Sequence, residues 1–146
     1  GLTGAGTDEK TIEELLKGKS KEEIRAIDQA YRQRTGISLE DEMRDEFSGS
    51  KLTKFLDLAK GNNDDAARLN ASLEEHKEWG VDARSNSTVE KDIRDTLATL
   101  NSKQIAELEQ TYQERYGKSL KESLLQDKNL PEETKQALEI YLKGTD

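Results

Sequence analysis

The sequence predicts an all-α fold made of two copies of one helical repeat, and three observations lead to that prediction. Apolar residues recur at steps of three and four along most of the chain, whereas no stretch shows the alternating β-branched residues of a strand. The chain also matches itself at a shift of 81 residues, with 12 identities among the 40 positions that pair residues 7–46 with 88–127. We therefore predict one compact helical domain of two repeats, residues 1–80 with five helices and residues 81–146 with four.

The composition limits how such a fold can be stabilised. Only 32% of the 146 residues are hydrophobic, 37% are charged, and the mean hydropathy is −0.98. These values approach the range in which a chain cannot bury enough apolar surface to fold. The apolar residues must therefore form narrow stripes on short helices.

Capping residues mark the helices of the first repeat. Thr7 is a predicted N-cap, Ser20 and Glu23 form a capping box for the second helix, Gly36 ends that helix, and Ser38 starts the third. The fifth helix covers residues 64–79. The predicted inward residues of the first four helices are Ile12, Leu15 and Leu16; Ile24, Ile27 and Tyr31; Leu39, Met43 and Phe47; and Leu52, Phe55 and Leu56. In the fifth helix, Leu69, Leu73 and His76 lie along one side.

The second repeat restates the pattern with four helices. Pro131 suits the first turn of the last of them, because the N–H that proline lacks has no acceptor within a helix at that position. The predicted inward residues are Val89, Ile93 and Leu97; Ile105, Leu108 and Tyr112; Leu120 and Leu124; and Leu138, Tyr141 and Leu142.

The opening of the first repeat is the most informative motif. Gly4 and Gly6 stand just before Thr7, and glycine permits backbone conformations in which successive carbonyls point toward one position. Calcium takes six to eight oxygen ligands, many of them backbone carbonyls or water. The motif therefore suits a calcium-binding loop, although the same residues also occur at an ordinary helix start.

Three segments resemble the annexin family. Residues 4–12 (GAGTDEKTI) are similar to the motif that opens an annexin repeat. Residues 31–39 (YRQRTGISL) resemble the end of its second helix and the turn that follows, and residues 45–49 (DEFSG) resemble the end of its third helix. The resemblance covers most of residues 1–80 and, more weakly, residues 85–143.

The resemblance implies a calcium site in the first repeat. In annexins an acidic residue about 39 positions after the loop threonine is a bidentate ligand, and 46 − 7 = 39 gives Glu46 that position. By the same resemblance, the carbonyls of Leu2, Gly4 and Gly6 would supply the other protein ligands.

A weaker secondary site is also implied, formed by the Thr7 carbonyl and the Glu9 carboxylate. A single carboxylate leaves bound Ca²⁺ with a net positive charge and with coordination positions that phosphate oxygens of lipid can fill. The function implied by the resemblance is calcium-dependent binding to anionic phospholipid membranes. With so few charged ligands, we expect an affinity for calcium on the order of 10⁻⁴ M or weaker without lipid.

The second repeat departs from this pattern at its loop. Residues 85–87 (SNS) stand where Gly-x-Gly is expected, after a longer predicted loop that includes residues 79–83. The acidic position is kept, since 127 − 88 = 39 gives it to Asp127, and Thr88 and Glu90 would form the secondary arrangement. Without glycine the carbonyl geometry is harder to reach, so a weakened calcium site and no site at all both stay open.

Charge and composition exclude other classes of function. The net charge of −8 disfavours nucleic acid and direct electrostatic binding to anionic lipid, unless a multivalent cation bridges the two. No cysteine is present, no apolar run approaches the roughly 20 residues of a membrane span, and no signal-peptide pattern opens the sequence. We expect a soluble protein with peripheral membrane association, and the compartment stays open.

An alternative function is a calcium-independent interaction or scaffold module that retains the annexin-like fold. Typical annexins carry four repeats, so a two-repeat chain would dimerise, join flanking domains or a protein partner, or form a more polar half-disc, which the low apolar content favours. No nucleophile–base set is present, so we predict no enzymatic activity. Residues 40–42 are predicted to be a solvated acidic face, and His76 is predicted to be partly exposed.

Overall fold

The computed structural model describes residues 9–79, 83–128 and 130–145, with the backbone alone at residues 79 and 83–89. Its helices are α1 (Glu9–Leu16), α2 (Lys21–Thr35), α3 (Leu39–Glu46), α4 (Gly49–Ala59), α5 (Asp65–Trp79), α6 (Ala83–Ala98), α7 (Ser102–Tyr116), α8 (Leu120–Leu125) and α9 (Glu132–Tyr141). The described residues contain no strand, so the fold is all-α, as the sequence predicts. None of the helices described is both long enough and apolar enough to cross a membrane.

The chain divides into two compact units. The first unit is Gly1–Ala67 and the second is Arg68–Asp146. Helix α5 begins in the first unit but lies mostly in the second. The structural boundary therefore falls near the start of α5, whereas the predicted repeat boundary follows its end. The division into repeats at residue 80 concerns the sequence pattern and stays a prediction.

Helices α1 to α4 of the first unit bury one cluster of apolar side chains. Its buried members are Ile12, Leu16, Ile24, Leu39, Met43, Phe47, Phe55, Leu58 and Ala59. The rings of Phe47 and Phe55 are stacked, with centroids 4.2 Å apart and planes inclined by 10°. The prediction for Leu15 is wrong, since it is 62% exposed. The narrow buried face of this eight-residue helix is already formed by Ile12 and Leu16, one turn apart.

The second unit buries its own set of apolar side chains, as the stripes predict. These are Leu69, Leu73, Ile93, Leu97, Ile105, Leu108, Tyr112, Leu120, Leu124, Leu130 and Leu138. Each large apolar side chain stabilises the folded state by about 1.5–3 kcal/mol when it is fully buried. Burial of this kind is how so polar a chain sustains a core.

The second helix of each predicted repeat, α2 and α7, begins with the same hydrogen-bond pattern. Ser20 Oγ accepts from the Glu23 N–H at 3.1 Å, and Glu23 Oε1 accepts from the Ser20 N–H at 3.0 Å. In α7 the Asn101 and Gln104 side chains make the equivalent pair of bonds, at 2.8 and 2.9 Å. The predicted capping box at Ser20 is confirmed, and the second unit reproduces it with different residues.

In both repeats a residue after the fourth helix, α4 or α9, also donates to the residue before the N-cap of the second helix, α2 or α7. Asn63 Nδ2 donates to the Lys19 carbonyl at 2.9 Å in the first unit. In the second unit the Thr145 N–H donates to the carbonyl of Leu100, which is Lys19 shifted by 81 residues, at 3.0 Å. Gly61 lies against Lys21, so closely that a Cβ there would be 2.9 Å from the Lys21 Cα. The duplication is therefore visible in the contacts as well as in the sequence.

The start of α6 differs from the prediction. Residues 85–87 are helical, because α6 already begins at Ala83, so their assignment to an open loop is wrong. No glycine or proline occurs between Ala83 and Ala98 to interrupt the helical hydrogen bonds. The helix therefore extends back over the segment that was expected to hold backbone carbonyls for a cation.

Candidate metal centre

The predicted calcium ligands of the first unit divide into a described and an undescribed set. Leu2, Gly4, Gly6 and Thr7 lie outside the described residues. Glu46 is the last residue of α3, and its side chain is half-buried. The carboxylate is therefore the part of the predicted site whose position is known.

Packing on both sides fixes the end of α3 at Glu46. The helix begins at Ser38, whose side chain accepts from the Asp41 N–H at 3.1 Å. It ends at Phe47, whose N–H donates to the Met43 carbonyl and whose ring stacks on Phe55. Because Phe47 is buried directly after Glu46, the glutamate backbone is held by the core while its side chain stays partly accessible.

A second carboxylate lies one helical turn before Glu46. Glu42 is fully buried, so the prediction of a solvated acidic face over residues 40–42 is wrong at this residue. Burial, followed by the neighbouring Glu42 carboxylate, raises the pKa of the Tyr31 hydroxyl, and Glu46 adds to that rise. Glu42 and Glu46 thus lie one turn apart at the end of α3, both near the Tyr31 hydroxyl.

The spacing of α3 could have indicated that Glu42 is buried. Glu42 follows Leu39 by three residues and precedes Glu46 by four, so all three lie on one helical face. The prediction that Glu42 is solvated came from its acidic side chain and did not use its position on the helix.

The carboxylate of the predicted secondary site already has a cationic partner. Lys51 Nζ lies 2.9 Å from Glu9 Oε1, and a parallel ion pair joins Lys54 to Glu13 at 2.9 Å. These pairs connect α1 to α4. A cation at Glu9 would have to compete with Lys51, which is consistent with a weak site.

The acidic residue of the second unit lies in different surroundings. Asp127 is buried, and its Oδ2 lies 3.1 Å from Nδ1 of His76 in α5. The two side chains are 3% and 0% exposed, so the prediction of a partly exposed His76 is wrong. A carboxylate can only accept hydrogen bonds, so an ionised Asp127 would accept from an N–H at Nδ1 of His76.

The apolar spacing of α5 indicates where His76 lies. It follows Leu73 by three residues and Leu69 by seven, and all three side chains are buried on one face. Sequence reasoning placed His76 on this face but could not find its partner, which comes 51 residues later.

Thr88 and Glu90, which would form the secondary arrangement of the second repeat, both belong to α6. Thr88 lies within α6 rather than at its start. Glu90 Oε1 is 3.5 Å from Thr134 Oγ1, a contact between α6 and α9. No group of three or more histidine, aspartate or glutamate side chains in the described parts of the chain is arranged to hold a metal ion.

The donor sets of the two units therefore differ in how well they suit calcium. In the first unit a partly accessible carboxylate ends α3, and oxygen ligands of this type are those that calcium prefers. In the second unit the equivalent carboxylate is enclosed with a histidine, and the segment expected to supply carbonyls is helical. Of the two equivalent carboxylates, the accessibility of Glu46 suits calcium better than the burial of Asp127 does.

Comparison with known sequences identifies the family. The Annexin family model matches residues 1–55. Annexin A5 of Bos taurus is 35% identical over 98 residues, which cover 60% of this chain and 30% of that protein. Annexin A13 of Mus musculus is 32% identical over 125 residues, which cover 85% of this chain and 36% of that protein. The chain thus spans about a third of the length of these curated relatives.

Solved structures show the same fold. Chicken annexin V in complex with Zn²⁺ matches with a TM-score of 0.54 at 22% identity, over 97% of this chain and 41% of that chain. A mutant of annexin A8 matches with a TM-score of 0.57 at 22% identity, over 99% of this chain and 42% of that chain. The repeated helical pattern, the sequence matches and the shared fold together establish that this chain belongs to the annexin family.

Proposed function

We propose that the protein binds anionic phospholipid surfaces in a calcium-dependent manner, through the first unit. The observation that carries this proposal is Glu46, a partly accessible carboxylate at the end of α3, 39 positions after Thr7. Family membership supports it as well, because calcium and phospholipid binding are the expected properties of annexins.

The residues of the first unit have distinct tasks in this proposal. Glu46 would hold the ion with its carboxylate, and the carbonyls of Leu2, Gly4 and Gly6 would complete the protein ligands. Bound calcium supplies a positive charge with coordination positions open to lipid phosphate oxygens. Thr7 and Glu9 would form the weaker secondary site, with Lys51 competing for the carboxylate.

The overall charge makes the calcium requirement strict. A chain with a net charge of −8 is repelled by an anionic surface. Calcium both reverses the local charge and connects the two anionic partners. Without it we expect no binding to the vesicles, and we expect no catalytic activity in either condition.

Co-sedimentation with vesicles of phosphatidylserine and phosphatidylcholine tests this function, with millimolar calcium or with excess chelator. The unmodified protein should pellet only with calcium. Glu46→Gln should weaken that binding by roughly 100-fold, because it removes the only carboxylate ligand of the main site. Asp45→Asn is the matched control, since it removes the same charge from the exposed neighbouring residue. Equal binding by Glu46→Gln and Asp45→Asn would contradict the proposed ligand set.

A second candidate function is a calcium-independent interaction module. The specific observation that favours it is the second unit, in which the acidic residue is enclosed with His76. Vesicle binding that is absent with and without calcium would support this alternative over membrane binding.

A further inference from the structure

We propose that His76 makes the second unit insensitive to calcium, because it occupies the Asp127 carboxylate with a buried hydrogen bond where a metal ion would otherwise be needed. The inference rests on the calcium-dependent function proposed above, since it states which half of the chain supplies that function. His76 is a positioning residue here, acting through Asp127.

The geometry encloses the carboxylate. His76 Nδ1 and Asp127 Oδ2 are 3.1 Å apart, and the side chains are 0% and 3% exposed. Calcium needs six to eight oxygen ligands around it, so it needs space and access to water or lipid. A carboxylate that is closed off from solvent and held by an imidazole offers neither.

The energetics oppose exchange of the histidine for calcium. Hydrogen bonds to charged groups are among the stronger ones in proteins, and removing one partner leaves the other buried without compensation. His76 Nε2 is buried and has no hydrogen-bond partner among the described residues. If calcium took Asp127, both ring nitrogens of His76 would therefore be buried without partners.

The backbone provides an independent reason. In the first repeat the predicted carbonyl ligands lie in a glycine-containing segment, whereas residues 85–87 belong to helix α6. Carbonyls inside a helix point along its axis toward the N–H groups four residues later and cannot converge on one ion. Among the described residues, the second unit thus has neither an accessible carboxylate at the position equivalent to Glu46 nor a carbonyl cluster at residues 85–87.

The polar contacts of α5 show what the histidine does instead. Lys118 Nζ lies 3.4 Å from Glu74 Oε1, and the Tyr112 hydroxyl donates to Asn70 Oδ1 at 3.4 Å. With the His76–Asp127 bond, these contacts connect α5 to α7, to the turn before α8 and to the segment that follows α8. They hold the unit together in a way that does not depend on a metal ion.

Nuclear magnetic resonance of the full chain can test the inference, because the sequence provides one reporter for each unit. His76 is the single histidine, and Phe47 and Phe55, stacked beside Glu46, are the two phenylalanines. Calcium chloride would be added to about 10 mM, well above the weakest affinity expected for such a site. Magnesium chloride at equal ionic strength is the control.

We expect the phenylalanine signals to shift with calcium while the imidazole signals stay unchanged, with the proton on Nδ1. A calcium-dependent shift of the imidazole signals, or a proton on Nε2 instead, would overturn the inference. If that shift also persists in Glu46→Gln, calcium binds the second unit directly. If neither reporter responds to calcium but Nδ1 carries the proton, the proposed calcium function fails while the His76–Asp127 pairing is upheld.

Discussion

Glu46 and Asp127 occupy the same position in the two repeats, 39 residues after Thr7 and Thr88, yet their surroundings differ. Glu46 is half-buried and lies one turn after the buried Glu42, whereas Asp127 is buried against His76. At the position equivalent to Glu42 the second unit has Ser123, which carries no charge. The two carboxylates therefore differ in accessibility and in the residues that surround them.

The capping and packing contacts of the two units diverged much less. Ser20 and Asn101 cap the second helix in the same way, and Gly36 and Gly117 end it in the same left-handed conformation. A helix-capping contact tolerates a change of residue if the same hydrogen bonds are formed. A metal site does not, because it requires particular ligands to be accessible at the same time. The comparison therefore teaches that helix architecture can be duplicated without duplicating its chemistry.

The largest expected difference concerns the equivalent tyrosines Tyr31 and Tyr112. Tyr112 is fully buried, and burial raises its pKa to about 12, whereas Tyr31 is half-buried. Tyr112→Ala should lower the free energy of unfolding by about 3–5 kcal/mol, and Tyr31→Ala by roughly 1–2 kcal/mol. Urea denaturation of the two variants measures this difference.

Tyr112→Phe separates packing from hydrogen bonding in that result. It keeps the ring and removes the hydroxyl that donates to Asn70, so the loss should be about 1 kcal/mol. If Tyr31→Ala and Tyr112→Ala lowered the free energy of unfolding equally, the two tyrosines would contribute equally to stability despite their different burial.

Most of the fold follows from local sequence patterns. Apolar steps of three and four predict the buried faces of α2 to α5, because the helical period alone determines which residues share a face. Capping residues fix the start of α2 and α3 to the residue, since their side chains satisfy specific backbone N–H groups. Leu15 is the exception, because periodicity alone does not show how wide a buried stripe on a short helix is.

The candidate site follows from sequence only in part. The position of Glu46 came from a spacing, but the buried state of Glu42 and the pairing of His76 with Asp127 depend on contacts between distant segments. The start of α6 was missed because the loop was assigned by analogy with the first repeat. Local propensity, without glycine or proline to break the helix, was the better guide there.

A smaller effect is expected where α4 closes on α2. Gly61 has φ 78° and lies against Lys21, whereas Gly36 has φ 83° and a Cβ added there would meet nothing within 4 Å. Alanine at either residue is strained by the positive φ, but only at Gly61 must the backbone also move. We expect Gly61→Ala to lower the free energy of unfolding by about 1–3 kcal/mol more than Gly36→Ala does.

Thermal unfolding of these two variants provides the measurement, and the difference between them cancels the strain they share. An equal fall in Tm for both would mean that Lys21 moves aside at little cost. The contact between Gly61 and Lys21 would then be loosely packed.

The smallest expected effect is a pH dependence confined to one of the two capping boxes. Hydrogen bonds from the Ser20 backbone and side chain lower the pKa of Glu23 below its ordinary value of 4.5. A folded-state pKa below the unfolded one means that the unfolded chain binds more protons in that range. The contribution of Glu23 is thus fully present above pH 4.5 and is lost as the pH falls through the lowered folded-state pKa.

The second unit has Gln104 in the equivalent place, so its box has no proton to gain. Glu23→Gln should therefore remove the extra stability above pH 4.5 and leave the Tm below that range nearly unchanged relative to the original protein. The reciprocal variant Gln104→Glu should introduce a pH dependence of the same sign into the second unit, because the Asn101 N–H donates to the side chain of residue 104 as the Ser20 N–H does to Glu23. A Tm difference between Glu23→Gln and the original protein that stays constant from neutral to acidic pH would show that the two boxes act as equivalent uncharged caps.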